Sequence, residues 1–459
     1  MTDTLISGAR VVTPEAVVET DVLIRGGKVC FGKAADAVSG RRGAQMHSRG
    51  RLCHSGRARP PKGGRGTQTI DARGCILLPG FIDIHTHGYG GFDFTLGVYD
   101  AATDSFDGSP ERSLEALARY VQHMPRLGLT TSYLATMAAP PQMLRERLAL
   151  LKTFLRQPPA GTRIVGAFLE GPFVSDRMAG AMNPELIQRP DPAVFDHINS
   201  AGLVRLALVA PDGGGARLRL IRHITRAGVI VGAGHTDATA EELRQARHAG
   251  LKYIVHFLNG PTGHSFKPFH GGGVVEGALA DDELYLELIA DGYHVSPRYV
   301  RDLLARRGPE RIVAVSDSMF AAGARGLRSF QMFGVYGRLS PDRKYMHVAN
   351  SPLTLFGSCL DMPTAFGNLV SWLTRPMEGV WVRRHEALEL DAALVAAARM
   401  TSTNPARLTG LDRKLGLGSI ADGCAADLIL ARLRGRAGAC RLEVQRTWLA
   451  GQEIFRKRA

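Results

Sequence analysis

From residue 79 onward, short apolar runs alternate with longer amphipathic ones. Runs at 81–84, 131–135, 163–169, 204–209, 229–231, 253–255, 284–289 and 311–315 are dominated by apolar and β-branched residues and are too short for helices. Each therefore reads as a buried strand. Between most of them, 111–126, 143–155, 216–227, 238–249 and 297–307 carry apolar residues at the spacing of a helix that buries one face. Parallel strands need long, usually helical crossovers, so eight strands separated by helices predict an α/β fold of the TIM-like (β/α)8 barrel type.

The two ends of the chain follow another rhythm. Residues 4–12, 17–24 and 28–31 are β-rich runs parted by turn signals such as Gly26-Gly27, and 68–74 resumes that pattern. Past the eighth strand come helices around 362–373 and 387–401, then strand-like segments at 418–430 and 444–455. The terminal strands are expected to meet in one small, discontinuous β-sandwich domain. The expected division is 1–78 and 404–459 for that domain and 79–403 for the barrel.

Composition changes this picture little. The chain has 459 residues, 45% of them hydrophobic, enough for a barrel of about 250 residues and a smaller domain. No run approaches the roughly 20 uninterrupted apolar residues of a membrane span. The start, Met1-Thr2-Asp3-Thr4-Leu5, has neither a basic nor an apolar leader pattern, which predicts a cytoplasmic protein. The six cysteines, at 30, 53, 75, 359, 424 and 440, form no C-x-x-C pair, so neither a disulfide framework nor a thiolate zinc site is expected. Charge matters more: of the net +14, eight basic and no acidic residues fall within 41–66, beside Pro60-Pro61 and several glycines and serines. That composition reads as a solvated, flexible insertion rather than a nucleic-acid-binding surface.

The first barrel strand runs into Ile84-His85-Thr86-His87-Gly88. In an extended strand residues i and i+2 point the same way, so both imidazoles can reach one metal ion. An H-x-H pair alone is common, and its weight comes from what recurs downstream. Active sites of this barrel form at the C-terminal ends of strands. There the third strand ends in Glu170, the fifth in His235 and the sixth in His256; His294 follows the seventh, and the eighth ends in Asp317. Glu170 leaves an apolar run as either a paired buried carboxylate or a metal ligand. With His235 and His256 it would supply one oxygen and two nitrogens to a catalytic divalent ion and leave a position open for water. Asp317 would take the proton of the attacking water and return it to a leaving nitrogen. His294 would stabilise the developing oxyanion or hold a substrate hydroxyl. His123, His223 and His248, in predicted helices, and His47 and His54, in the basic insertion, are given no role.

Together these pieces resemble the N-acetylglucosamine-6-phosphate deacetylases of the amidohydrolase superfamily. The matching runs are PGFIDIHTHG (79–88), GLTTSYLAT (128–136), LEGPF (169–173), GHTDAT (234–239), HFLNG (256–260), IADGYHV (289–295), VSDSMFAAG (315–323), TNPARLTGL (403–411) and GSIADGCAADLIL (418–430), in family order. The resemblance implies a barrel with a small β-sandwich, usually a homodimer, that hydrolyses the acetamido group of an amino sugar to the free amine and acetate. It implies one or two divalent ions, zinc first, with iron, manganese or cobalt as alternatives. It places the principal metal ligands at Glu170, His235 and His256, the general base at Asp317, and a second ion, used by some members, at His85 and His87. Substrate contacts carry over to Asn259, the Gly260 amide and His294. The fourth strand holds no lysine for a carbamylated bridge, so Glu170 would bridge two ions.

Two positions depart from the family pattern. Met182 stands in Ala179-Gly180-Ala181-Met182-Asn183-Pro184 where a sugar-contacting histidine is expected, and methionine cannot donate to a hydroxyl. His270 takes the place of an arginine that meets the phosphate across the dimer interface. With His264 or Lys267 it is the expected phosphate contact, without arginine's bidentate fork. The expected substrate is N-acetylglucosamine-6-phosphate or a close relative. The same machinery would serve another N-acyl amine or a cyclic amide. A sugar-binding relative without turnover is the reading from another class, and the intact His85, His87, Glu170, His235, His256 and Asp317 count against it.

Overall fold

The computed structural model describes residues 2–31, 66–259 and 271–458. Gly260, His264, Lys267 and His270, the histidines at 47 and 54, and residues 41–65 of the basic insertion lie outside the described residues.

Eight parallel strands, Phe81–Thr86, Leu129–Thr136, Arg163–Leu169, Val204–Leu208, Ile230–Ala233, Leu251–Ile254, Tyr285–Ile289 and Ile312–Val315, pair in that order. The chain just past the eighth returns to the first: the Asp317 amide donates to the His85 carbonyl at 2.9 Å, and Thr86 bridges Ser318 in parallel. The barrel thus closes where candidate residues from its two outermost strands stand side by side. Helices pack outside by their apolar faces. Pro110–His123 buries Leu117, Tyr120 and Val121. Ala240–Ala249 starts at a capping box in which Thr239 and Glu242 satisfy each other's backbone amides.

Strands from both ends of the chain share one eight-stranded sheet. Asp3–Val12, Val17–Arg25, Lys28–Cys30, Thr67–Asp71 and Ile76–Pro79 join Leu428–Arg436, Ala439–Leu449 and Gln452–Arg456 around a separate apolar cluster that includes Val22, Leu428 and Trp448. Ile76–Pro79 pairs parallel with Asp3–Val12 and antiparallel with Leu428–Arg436, and only Gly80 separates it from the first barrel strand. A Cβ there would lie 2.3 Å from Thr130 Oγ1, so this tight passage accepts glycine alone. The described cysteines, Cys30, Cys75, Cys359, Cys424 and Cys440, are free thiols. No described helix is long and apolar enough to cross a membrane.

Several segments differ from the sequence expectation, among them a small antiparallel sheet of Gly88–Tyr89, Phe92–Asp93, Gly97–Asp100 and Ser105–Asp107 and a strand that begins at Leu428 rather than 418. The strand at 444–455 is two strands, because Ala450 and Gly451 both adopt positive φ and turn the chain back. The helix at 387–401 begins only at Leu390 and widens into a π turn over Arg399–Thr403. An unanticipated four-stranded antiparallel sheet, Ser329–Met332, Val335–Leu339, Tyr345–Val348 and Ser351–Ser358, stands between the eighth barrel strand and helix Met362–Leu373. Its strands are short and broken by turns, so they resemble loop in sequence. They cohere through their own core, where Phe330 meets Phe320 edge-on at 5.1 Å and Phe356 at 5.0 Å.

Candidate functional site

At the C-terminal mouth of the barrel, one carboxylate sits between two pairs of imidazoles. From the first strand, His85 Nε2 lies 3.5 Å from Glu170 Oε1 and His87 Nε2 lies 3.1 Å from Glu170 Oε2. From the opposite side, His235 Nε2 and His256 Nε2 lie 3.5 Å and 3.4 Å from Glu170 Oε1. Asp317 Oδ1 faces His85 Nε2 at 3.4 Å and His87 Nε2 at 3.3 Å. Two groups of three donors result, His85-His87-Glu170 and Glu170-His235-His256, with ligand atoms within 4.8 Å of one another in each.

Two kinds of backbone deliver these side chains. His85 lies in the first strand and His87 one residue past its end, and the Nε2 atoms of both face the Glu170 carboxylate. His235, His256 and Asp317 instead have φ of 43°, 31° and 48°, a left-handed conformation uncommon for residues with a Cβ. Each turns the chain out of its strand within one residue and redirects the side chain over the barrel mouth. Nearby hydrogen bonds hold these turns: the Ser175 amide to the His235 carbonyl at 3.0 Å, and the Ser358 amide to the Asp317 carbonyl at 2.8 Å.

The cluster suits a divalent cation. His85 Nδ1 is engaged by Glu287 Oε2 at 3.1 Å and His235 Nδ1 by the Met178 carbonyl at 3.0 Å, so with Nδ1 donating, each ring presents an Nε2 lone pair to the centre. His85 Nε2 is buried and makes no hydrogen bond, the arrangement expected of a metal ligand and costly for a nitrogen with no further use. A set of imidazole nitrogens and carboxylate oxygens fits zinc or a neighbouring transition ion. Burial opposes ionisation of Glu170, but the surrounding imidazoles, His85 foremost, outweigh it and hold the carboxyl well below the usual range. Asp317 is lowered against burial by His85 and His87. Burial would lower His87, yet Asp317 and Glu170 push it up to about 9.

A cavity of about 430 Å³ opens over the cluster, with His87, Glu170, His235, Asp317, Asn259 and His294 on its lining. His294 is fixed by Asp291, which meets its Nδ1 at 2.7 Å and accepts its backbone amide at 2.9 Å. The apolar wall includes Met137, Met178, Met182, Met319 and, from the unanticipated sheet, Leu353 and Phe356. The structure therefore brings His85, His87, Glu170, His235, His256, Asp317, Asn259 and His294 to one place. Sequence reasoning passed over Glu287, Asp83 and Asp291. Asp83 accepts the amides of His85 and Ser316 and the Ser316 hydroxyl, and burial pushes it up to about 6. An acid inside an apolar strand, as in Leu286-Glu287-Leu288, was the available signal for Glu287.

A sequence model of the amidohydrolase family matches residues 76–454. The chain is 32% identical over 384 residues to an N-acetylgalactosamine-6-phosphate deacetylase from Escherichia coli O157:H7, covering 82% of this chain and 87% of that protein. It is 33% identical over 371 residues to an N-acetylglucosamine-6-phosphate deacetylase from Bacillus subtilis strain 168, covering 77% and 80%. A mutant N-acetyl-D-glucosamine-6-phosphate deacetylase from Mycobacterium smegmatis, solved in complex with N-acetyl-D-glucosamine-6-phosphate, superposes with a TM-score of 0.73 at 26% identity, covering 99% of this chain and 100% of that one.

Proposed function

Because the chain belongs to the amidohydrolase family, among its N-acetylated amino-sugar phosphate deacetylases, we propose that it hydrolyses the acetamido group of an N-acetylhexosamine, releasing acetate and the free amine. The 6-phosphate named for its relatives is the first substituent to test. The observation that carries this reading is Glu170 flanked by His85, His87, His235 and His256 at the floor of a cavity, with Asp317 beside it.

In this reading His85, His87 and Glu170 hold one divalent ion, Glu170, His235 and His256 hold another, and zinc is the proposed metal. Bound there, such an ion polarises a carbonyl and lowers the pKa of water from about 15.7 toward neutrality. The chain's own groups do the rest. Asp317, whose Oδ1 lies 3.4 Å from His85 Nε2 and 3.3 Å from His87 Nε2, accepts the proton of the attacking water and then delivers it to the departing nitrogen. His294, locked at Nδ1 by Asp291, offers its other nitrogen to the carbonyl oxygen or to a sugar hydroxyl. Asn259 orients the sugar from the cavity wall, and Gly260 and His270 are the proposed further contacts. A homodimer, with His270 reaching the phosphate of the partner's substrate, completes the proposal.

The test is acetate release by zinc-loaded protein from N-acetylglucosamine and N-acetylgalactosamine, each with and without a 6-phosphate. Release from at least one is expected, and release from none overturns the reading. Met182 on the cavity wall gives one reason to include other N-acyl amines in the panel. Turnover confined to those would transfer the activity to a different amide.

A further inference from the structure

Glu287 takes no part in either donor group, yet it touches a member of each. It lies in the seventh barrel strand and is fully buried. A single carboxylate oxygen, Oε2, engages the His85 ring at 3.1 Å and accepts the His256 amide at 3.2 Å. The Glu287 carbonyl also accepts the Phe257 amide at 2.8 Å. Its other oxygen, Oε1, is buried without a hydrogen-bond partner, as is the Tyr253 hydroxyl. No lysine or arginine pairs with it among the described residues. A buried carboxylate of this kind needs positive charge close by, and the path to such charge runs through the His85 ring to Nε2.

The four imidazoles are not held alike. His85 is fixed at Nδ1 by the Glu287 carboxylate and His235 by the Met178 carbonyl, whereas Nδ1 of His87 and of His256 is buried with no hydrogen bond. Each donor group therefore has one oriented ring, and only the one in the His85-His87-Glu170 group is oriented by a charged side chain. A carboxylate on the far nitrogen both selects the tautomer and raises the basicity of the ligating nitrogen.

We propose that Glu287 is a positioning residue that sets occupancy of the His85-His87-Glu170 position selectively, leaving the Glu170-His235-His256 position nearly untouched. The inference rests on the reading of this cluster as a metal centre. In Glu287→Gln the side-chain oxygen can keep accepting the His256 amide, but it brings no charge to His85 Nδ1, so the tautomer is held less firmly and Nε2 is a weaker ligand.

The experiment uses the full-length, metal-depleted protein. Zinc is titrated against a chromophoric chelator, and bound metal is counted by mass spectrometry after gel filtration. Wild type is expected to take up two ions per chain. Glu287→Gln should weaken one of them by about tenfold to a hundredfold and leave the other at wild-type affinity. The weakened ion should be the one that His85→Ala abolishes. Glu287→Asp, which keeps the charge with a shorter reach, should lie in between, and it supplies the same readout where the glutamine variant does not fold. Two ions bound with wild-type affinity in Glu287→Gln, or both weakened equally, would overturn the assignment. A wild type that binds no zinc would instead overturn the metal-centre reading itself.

Discussion

The two donor groups that share Glu170 rest on opposite kinds of backbone. His85 lies in the first barrel strand and His87 one residue past its end; both are buried, and His85 is backed by Asp83 and Glu287. His235 and His256 stand on left-handed residues where strands end. The His235 ring keeps 16% of its side chain exposed and is steadied by a carbonyl of the short turn Asp176–Met178. In the first, inner group His85 lies beneath the cavity, while His87 and Glu170 reach its lining. The second borders the cavity, borrows its orientation from loop neighbours, and is the side on which a substrate would be met. Their difference separates what a barrel strand holds by itself from what its loops must hold for it.

Removing the shared member should abolish the contrast altogether. Glu170→Gln is expected to bring bound zinc below one ion per chain and acetate release to background. Retention of two ions would show that the groups do not depend on a common bridge. Next in size is Asp317→Asn. Asp317 belongs to neither three-donor group, so both ions should stay while kcat falls about 10²- to 10⁴-fold, the usual contribution of a general base. Turnover at the wild-type rate would take that role from Asp317. A smaller, sharper comparison sets His85→Ala against His235→Ala. Each should lose one ion, and His235→Ala should lower kcat/KM more because its position borders the substrate. The reverse order would move the chemistry to the inner group.

Gly180 probes how far the outer group depends on its loop. It has φ +63°, and a Cβ added there would lie 3.0 Å from His235 Cε1. Gly180→Ala should cost about 1–2 kcal/mol from the left-handed backbone and shift the His235 ring, weakening the outer ion while the inner one binds normally. Calorimetry and zinc titration on the same sample separate the two effects. An unchanged outer affinity would mean that the Met178 carbonyl alone suffices to orient the ring.

The same contrast explains what was legible beforehand. Periodicity located all eight barrel strands, because a strand buried on both faces is nearly all apolar and its length excludes a helix. The two-residue spacing of His85 and His87 translated directly into a shared face. For His235, His256 and Asp317 only their places at strand ends were visible. The turns that aim them are held by hydrogen bonds donated by the Ser175 and Ser358 amides and accepted by Glu287, all remote in sequence. Glu287 itself was marked as an acid inside an apolar strand, but its partner 202 residues away could not be read from that mark. The sheet spanning 329–358 was missed for another reason. Its strands are short and satisfied by one another, so each taken singly carries too little alternation to distinguish it from loop. The alternation of Phe330 with Met332 and of Met346 with Val348, buried in the sheet's own core, shows its meaning only once the pairing is known.

That sheet also offers the mildest test. Leu353 is 97% exposed yet lies on the cavity wall with Thr354, Leu355, Phe356 and Gly357. It supports no core, so Leu353→Ser should alter stability by no more than about 0.5 kcal/mol. If the leucine meets the sugar face of a bound substrate, its loss removes apolar contact made equally in the ground state and the transition state. Such a loss raises KM and leaves kcat alone. Partial burial of one leucine is worth about 1 kcal/mol, which corresponds to a KM increase of about fivefold. Steady-state kinetics on the best substrate of the panel would read it, with thermal denaturation as the control. A fall in kcat at constant KM would show instead that the tip of the sheet takes part in assembling the outer donor group, and the division between a self-sufficient inner group and a loop-dependent outer one would then extend as far as this fourth strand.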